Sequence, residues 1–481
     1  MTLPSGSAIL LALWIAVAVG AASHALISRR DPRTAWGWIA VCWLFPFAGP
    51  ALYFLFGINR IHTHAQRLGM DARAVGAIGA AHADDLRNHL AEPGDVIPHW
   101  LDELARTSDT LTRLPLLGGN QISVLHNGEQ AYPRMLDAID HARTSIALAT
   151  YIFDNDAIGR RFVDALVRAK SRGVDVRVLI DDFGQHYSLV PITRRLRAHG
   201  IDHAIFNPLR LLPPSLHLNL RSHRKLLLVD GEVGFTGGMN IGCRHMVAER
   251  GAGAAIDMQF EMRGPVLHQL GQVFAEDWRW CGKPEWRIPQ PIAADSAAAG
   301  AACRAITAGP NEDYDHLAMV LQAAISAAHR EVLIMTPYFL PPNEMIAELQ
   351  AAAVRGVRVD VILPLRSNLP FVHWATRNML GELLRFGVRV FYQPLPFCHS
   401  KLFVVDGVYA QIGSANLDPR SLKLNFELAV EIYDHAFAQT VTAHFNAVRA
   451  QSREVPLAEI EERSLPARLR DAAFWLFSPY L

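Results

Sequence analysis

The feature that most constrains how this 481-residue chain can fold is a motif written twice at a fixed interval. His223-Arg224-Lys225 runs to Asp230 and then to Gly237-Gly238-Met239-Asn240. His399-Ser400-Lys401 runs to Asp406 and then to Gly413-Ser414-Ala415-Asn416. Both copies read H-x-K-x4-D-x6-G-[GS]-x-N, and one and the same interval separates His223 from His399, Asp230 from Asp406 and Asn240 from Asn416. A duplication held in register over that distance calls for two copies of one substructure. One reactive site assembled from the two halves is its simplest use.

The chain around the motifs repeats as well. Ser145–Phe153 reads as a buried strand, Gly159–Arg172 as a helix stopped by Gly173, and Val174–Ile180 as the next strand. Arg194–His199 is helical up to Gly200, and a strand follows over 201–206. The second half has the same order: strand Glu331–Phe339, helix Met345–Arg355, Gly356, strand Val357–Leu363, then Leu383–Phe386, Gly387 and strand Val388–Tyr392. The interval from Gly200 to Gly387 is longer than that from His223 to His399, so the first half carries an insertion between Gly200 and His223. It contains Leu211-Leu212-Pro213-Pro214-Ser215-Leu216, which suits either a packed loop or an apolar wall that touches lipid. Strands alternating with helices, twice over, predict an α/β fold of two tandem domains with mostly parallel sheets sandwiched by helices. Their expected bounds are 116–281 and 303–450, with a Pro/Ala-rich linker over 282–302.

The amino-terminal region is of a different kind. Segments 8–27 and 35–58 contain no Asp, Glu, Lys or Arg, and each reaches the ~20 apolar residues that a spanning helix needs. Arg29-Arg30-Asp31-Pro32-Arg33 breaks them apart, so residues 1–58 read as a transmembrane hairpin. A cleaved leader would want a basic start and one shorter apolar core. Pro46, Gly49 and Pro50 leave the second segment kinked or re-entrant, and equal arginine clusters, one between the segments and one after them, leave orientation open. Residues 59–115 read as a helical connector. The tail, 451–481, carries Arg468, Arg470, Phe474, Trp475 and Phe477, which fit either a docked helix or a membrane-interfacial one.

Composition excludes some functions. The 46 basic residues equal the 46 acidic ones, which argues against a general nucleic-acid binder. Five scattered cysteines, without a C-x-x-C, support neither a disulfide framework nor a zinc ribbon. Cys398 beside His399 reads as a small buried thiol.

On a strand, residues i and i+2 face one side, so each motif's imidazole and ammonium point together. Asp-Gly is a hairpin signal, which gives Asp230 and Asp406 a turn reading beside a catalytic one. Glycines at 237–238 and 413 let a phosphate approach, with Gly238, Ser414, Asn240 and Asn416 as phosphate-binding candidates. Two lysines, Lys225 and Lys401, neutralise a phosphate; one histidine attacks phosphorus and the other moves the proton. This chemistry needs neither a metal nor a cofactor.

With these motifs the chain resembles the phospholipase D superfamily over roughly residues 120–450, and within it the bacterial cardiolipin synthases. The narrower likeness rests on Asn416-Leu417-Asp418-Pro419-Arg420-Ser421, on Asn425-Phe426-Glu427, on Phe274 to Asp277-Trp278, and on the amino-terminal hairpin. The resemblance implies one metal-free site between two related domains, with His223 as nucleophile and His399 as general acid/base. The two motifs themselves do not distinguish these roles. It also implies that Glu427 orients a catalytic histidine, with Asp257 as its repeat-mate at a slightly shorter interval than that of the motifs. The expected activity is that of a cardiolipin synthase in the bacterial cell membrane, multi-pass, acting on phosphatidylglycerol. Hydrolysis to phosphatidic acid, or transfer to another alcohol, stands as the alternative.

Overall fold

The computed structural model describes residues 6–28, 32–57, 98–208, 220–289, 300–310 and 315–478. They fall into two compact units, a helical one within residues 6–57 and an α/β body within 98–478.

In the helical unit, α1 (Gly6–Ser28) is 23 residues of apolar, uncharged sequence. At 1.5 Å per residue it is roughly 34 Å long, enough for a ~30 Å hydrocarbon core. The second apolar segment is not one helix. α2 (Pro32–Leu44) stops ahead of Phe45-Pro46-Phe47, where Phe47 takes φ 57°, and α3 (Ala48–Leu52) and a π turn over Tyr53–Gly57 follow. Pro46 cannot donate to a helix ladder, and it restricts the residue before it. Thirteen residues give α2 about 20 Å, too short to cross. The expectation of two spanning segments is therefore corrected: among the described residues, α1 alone is long and apolar enough. α2 and the turn after it still fold back on α1, with Trp14 edge-on to Trp43 and His24 Nδ1 2.7 Å from the Tyr53 hydroxyl.

Residues 58–97, most of the expected connector, lie outside the described residues; its end is the helix Asp102–Thr112. The apolar segment Leu211–Leu216 and part of the 282–302 linker also lie outside them.

The body is built on two sets of eight strands. The first half supplies β1 (Leu117–His126), β2 (Ser145–Thr150), β3 (Asp175–Asp181), β4 (Asp202–Phe206), β5 (Leu226–Val229), β6 (Val233–Gly237), β7 (Ala255–Ile256) and β8 (Met258–Arg263). The second supplies β9 (Ala301–Ala308), β10 (Glu331–Met335), β11 (Arg358–Pro364), β12 (Arg389–Gln393), β13 (Phe397–Cys398), β14 (Leu402–Val405), β15 (Tyr409–Gly413) and β16 (Glu427–Tyr433), with β17 (Arg453–Glu454) at the edge. From the centre outward the first half runs β1-β8-β6-β5-β2-β3-β4, and the second repeats it as β9-β16-β15-β14-β10-β11-β12. β1 pairs antiparallel with β9, so both repeats share one fifteen-stranded sheet.

The sheet is mixed, not mostly parallel. Among its described strands only β2-β3-β4 and β10-β11-β12 run parallel, each step bridged by a helix such as Ala157–Ser171 or Asn343–Val354. The other neighbours are antiparallel. At β5–β6 and β14–β15 the cause is local: Asp230-Gly231 and Asp406-Gly407 reverse the chain within a few residues, all four at positive φ. The helix-stopping glycines behave as their pattern predicts: Gly173 and Gly356 take φ 89° and 93°, which a side chain would resist. Two apolar cores, one for each half, pack on this frame.

The carboxy-terminal helix Leu465–Trp475 docks on the helix Pro370–Leu384. Phe474 lies 4.9 Å from Trp374 by ring centroids, and buried Asp471 holds Arg463 and Arg470. Leu465, Leu469, Leu476 and Phe477 stay exposed.

Candidate active site

Each motif delivers its histidine on a short segment leading into β5 or β14, and each segment is clasped by the opposite repeat. The His223 N–H donates to the Phe426 carbonyl at 2.9 Å, and the His399 N–H donates to the Ile256 carbonyl at 2.7 Å. The parallel pair β7–β13 continues the second clasp.

The side chains cross over in the same way. His223 Nδ1 lies 3.0 Å from Glu427 Oε2, and His399 Nδ1 lies 2.7 Å from Asp257 Oδ2. Glu427 belongs to the second half and Asp257 to the first, so each histidine takes its carboxylate from the other repeat. The carboxylates are fully buried, while both imidazoles keep a narrow opening to solvent. With Nδ1–H donated to a carboxylate, each ring is left with an unprotonated Nε2.

The surroundings tie these groups down. Glu427 also accepts from the Ser414 hydroxyl at 2.5 Å and from Asn425 Nδ2 at 3.3 Å. Arg224, between His223 and Lys225, is fixed by Asp277 at 2.7 Å and by the Glu427 carbonyl at 3.1 Å. Lys225 Nζ donates to the His223 carbonyl at 2.6 Å, and Lys401 Nζ to that of His399. Both lysines are buried.

Electrostatics follow from burial and convergence. Burial lowers the pKa of His223, opposed by Glu427; for His399 burial, then the Lys401 charge, bring it down to about 3. Both rings are therefore neutral at physiological pH. Burial lowers Lys401 to about 8 and takes Lys225 well below its ordinary value. Burial works against ionisation of Asp257, but His399 and Lys401 outweigh it and hold the carboxyl at about 2. At Glu427 burial again opposes ionisation, and His223 foremost outweighs it, so this carboxyl too lies below its usual range. Each half's charges act on the other's: Lys401 bears on His223, and Asp257 on Lys401. Such reach brings the charges of the two motifs within range of one another.

Other expected site residues take different places. Asp230 accepts backbone N–H bonds from Arg143, Thr144 and Ser145 at 2.7–2.8 Å, and Asp406 accepts them from His329, Arg330 and Glu331 at 2.7–2.8 Å. Both carboxylates sit at the far ends of β5 and β14, anchoring the starts of β2 and β10. In this geometry they are turn residues and stand away from the imidazoles. Gly237 and Gly413 are required by neighbouring backbone: an added Cβ would lie 2.7 Å from the Met258 carbonyl, or closer still to that of Leu428. Gly238 has no room either, since a Cβ there would meet both Asp257 carboxylate oxygens at 2.8 Å. Ser414 spends its hydroxyl on Glu427. Asn240 Oδ1 accepts from the Ile152 N–H at 3.0 Å, and Asn416 Nδ2 reaches Ser421 Oγ at 3.2 Å. Cys398 is a buried thiol pushed up to about 11, and therefore unreactive.

Sequence reasoning missed three neighbours. The Tyr151 ring lies 5.2 Å from that of His223 and under Lys225 Nζ. Asp181 accepts the Ser222 N–H at 2.9 Å. Buried His245 stands 6.4 Å from His399 by ring centroids. Tyr151 and Asp181 sit at the carboxyl ends of β2 and β3, the usual place for site residues on parallel strands, and that signal was available. Among the described residues no cluster of His, Cys, Asp and Glu suits a metal ion.

The chain matches the family described as cardiolipin synthase, PLD-like domain, over residues 135–278 and 321–449, and a phospholipase D-nuclease N-terminal family over 12–57. It is 30% identical to the major cardiolipin synthase ClsA of Bacillus subtilis, over 94% of this chain and 95% of that one. It is 31% identical to cardiolipin synthase A of Pseudomonas putida, over 98% of each. Among solved structures, phosphatidylserine synthase of Haemophilus influenzae Rd KW20 has the same fold, with TM-score 0.61, 16% identity, and coverage of 79% of this chain and 100% of that one.

Proposed function

Since the chain belongs to the cardiolipin synthase family of phospholipase D-like proteins, we propose that it is a phosphatidyltransferase joining two phosphatidylglycerols into cardiolipin, with release of glycerol. The observation that carries this is the crossed pairing of His223 with Glu427 and of His399 with Asp257. It gives each of two neutral imidazoles a carboxylate from the other half, which suits one to attack and the other to proton transfer.

In the first step His223 Nε2 attacks the phosphorus of one phosphatidylglycerol. The P–N bond forms, the P–O bond to the glycerol headgroup breaks, and His399 protonates the leaving oxygen. His399 by itself is neutral, so it takes up a proton from solvent as the anionic phosphodiester binds, whose charge favours the imidazolium. In the second step a headgroup hydroxyl of another phosphatidylglycerol gives its proton to His399 and attacks phosphorus, and His223 leaves. Lys225 and Lys401 hold the phosphoryl oxygens as point charges. One phosphodiester replaces another, so no nucleotide is required. Exclusion of water from the phosphatidyl-histidine favours transfer over hydrolysis.

The test is purified full-length protein in detergent with labelled phosphatidylglycerol. Cardiolipin and glycerol in equal amounts are expected. Phosphatidic acid as the sole lipid product would make the chain a hydrolase, and product only when another alcohol is supplied would change the acceptor.

A further inference from the structure

We infer that residues 183–190 form an apolar lip that inserts into the lipid surface and guides the acyl-glycerol part of the donor phospholipid to His223. The inference rests on the reading above that the substrate is a phospholipid, and adds where its apolar part lies.

Four large apolar side chains of this short segment face solvent: Phe183 at 44%, Tyr187 at 54%, Val190 at 48% and Leu189 fully. The segment is nevertheless well tied down. Asp181 Oδ1 accepts the Phe183 N–H at 2.9 Å, while Asp181 Oδ2 accepts the Ser222 N–H beside His223. Asn155 Nδ2 holds the Val190 carbonyl at 3.1 Å, and a Cβ on Gly184 would collide with the Tyr151 carbonyl. A clamped loop that still turns its large side chains outward has a use for them there.

The lip is continuous with the site. Phe183 meets Tyr187 at 6.4 Å by ring centroids, Tyr187 meets Tyr151 at 6.3 Å, and Tyr151 meets His223 at 5.2 Å. A phosphatidyl group bound at His223 carries its diacylglycerol only a few bonds from phosphorus. Its chains must therefore begin on the surface next to that ring, and this aromatic path is such a surface. The corresponding stretch after β11 is more polar: it exposes one large apolar side chain, Leu365 at 40%, beside Arg366, Ser367 and Asn368, and Asn368 Oδ1 accepts the Tyr338 hydroxyl at 2.7 Å. The apolar lip thus belongs to the His223 half, the half expected to hold the phosphatidyl group.

Two measurements on the full-length protein test this. In vesicles of long-chain phosphatidylglycerol, Leu189→Glu with Val190→Glu should lower transfer roughly tenfold or more, the partition energy of one to two large apolar side chains. Turnover of a short-chain, water-soluble phosphatidylglycerol, which needs no insertion into a lipid surface, should fall far less. Equal loss on both substrates, or loss on neither, overturns the lip. Independently of activity, Leu189→Trp should add fluorescence over the wild type that brominated acyl chains quench; added fluorescence that escapes quenching also overturns it. Wild-type protein that transfers neither substrate would instead count against the proposed function, and the quenching result would still decide the lip.

Discussion

Gly238 and Asp257 in one half, and Ser414 and Glu427 in the other, are two solutions to one packing problem. The serine hydroxyl supports the longer carboxylate at 2.5 Å, whereas the shorter carboxylate of Asp257 occupies the space a side chain at 238 would need. Gly238→Ser should therefore cut activity, and Gly238→Ser with Asp257→Glu should recover much of the loss, a coupling that a double-mutant cycle in kcat/KM measures. The proton balance makes a second prediction. Burial lowers Lys401 from its ordinary 10.5 to about 8, so its cation is present below that pH and is lost as pH rises through it. The pH profile of kcat/KM should fall on the alkaline side near 8, and Lys401→Arg should move that limb upward, since arginine stays charged. With the His223 imidazole depressed, the acid limb, where the nucleophile becomes protonated, should lie below the ordinary histidine value of ~6.5.

At the scale of elements, Asp230 and Asp406 serve the frame rather than the chemistry. Asp230→Ala removes an acceptor shared by three backbone N–H groups and a favourable left-handed residue, at a cost of about 2 kcal/mol or more. A lowered melting temperature with kcat kept in the folded fraction is expected, and Asp230→Asn should be milder. Most strands and helices around both motifs were legible close to their true bounds, because apolar period and stopping glycines are local signals. The mixed sheet was not: pairing direction depends on which distant strands meet, and β1, β8, β9 and β16 carry no repeat signal comparable to the motifs. The packing that demands Gly237 and Gly413 was hidden for a similar reason. Residues 258 and 428, which crowd Gly237 and Gly413, are neighbours only across the sheet. The broken second apolar helix was foreshadowed by Pro46, but composition alone counted it as a span.

At the scale of the whole molecule, the duplication makes one sheet, and the candidate site draws on both halves. β1 meets β9 at the seam, and beyond it each histidine takes its carboxylate from the other half. The repeat was plain in the sequence, as were His223, His399, Lys225 and Lys401. That the acids are exchanged between halves was not, since the interval from Asp257 to Glu427 does not say which histidine either acid serves. In the proposed reaction the two halves cooperate on one phosphorus, with His223 as its covalent carrier. Rapid mixing of the enzyme with phosphatidylglycerol labelled in its phosphate, a denaturing alkaline quench that preserves phosphohistidine, and peptide mapping test this most directly. Label on the peptide containing His223, absent from His223→Ala, is the predicted result; label on His399, or on neither histidine while cardiolipin forms, would contradict it.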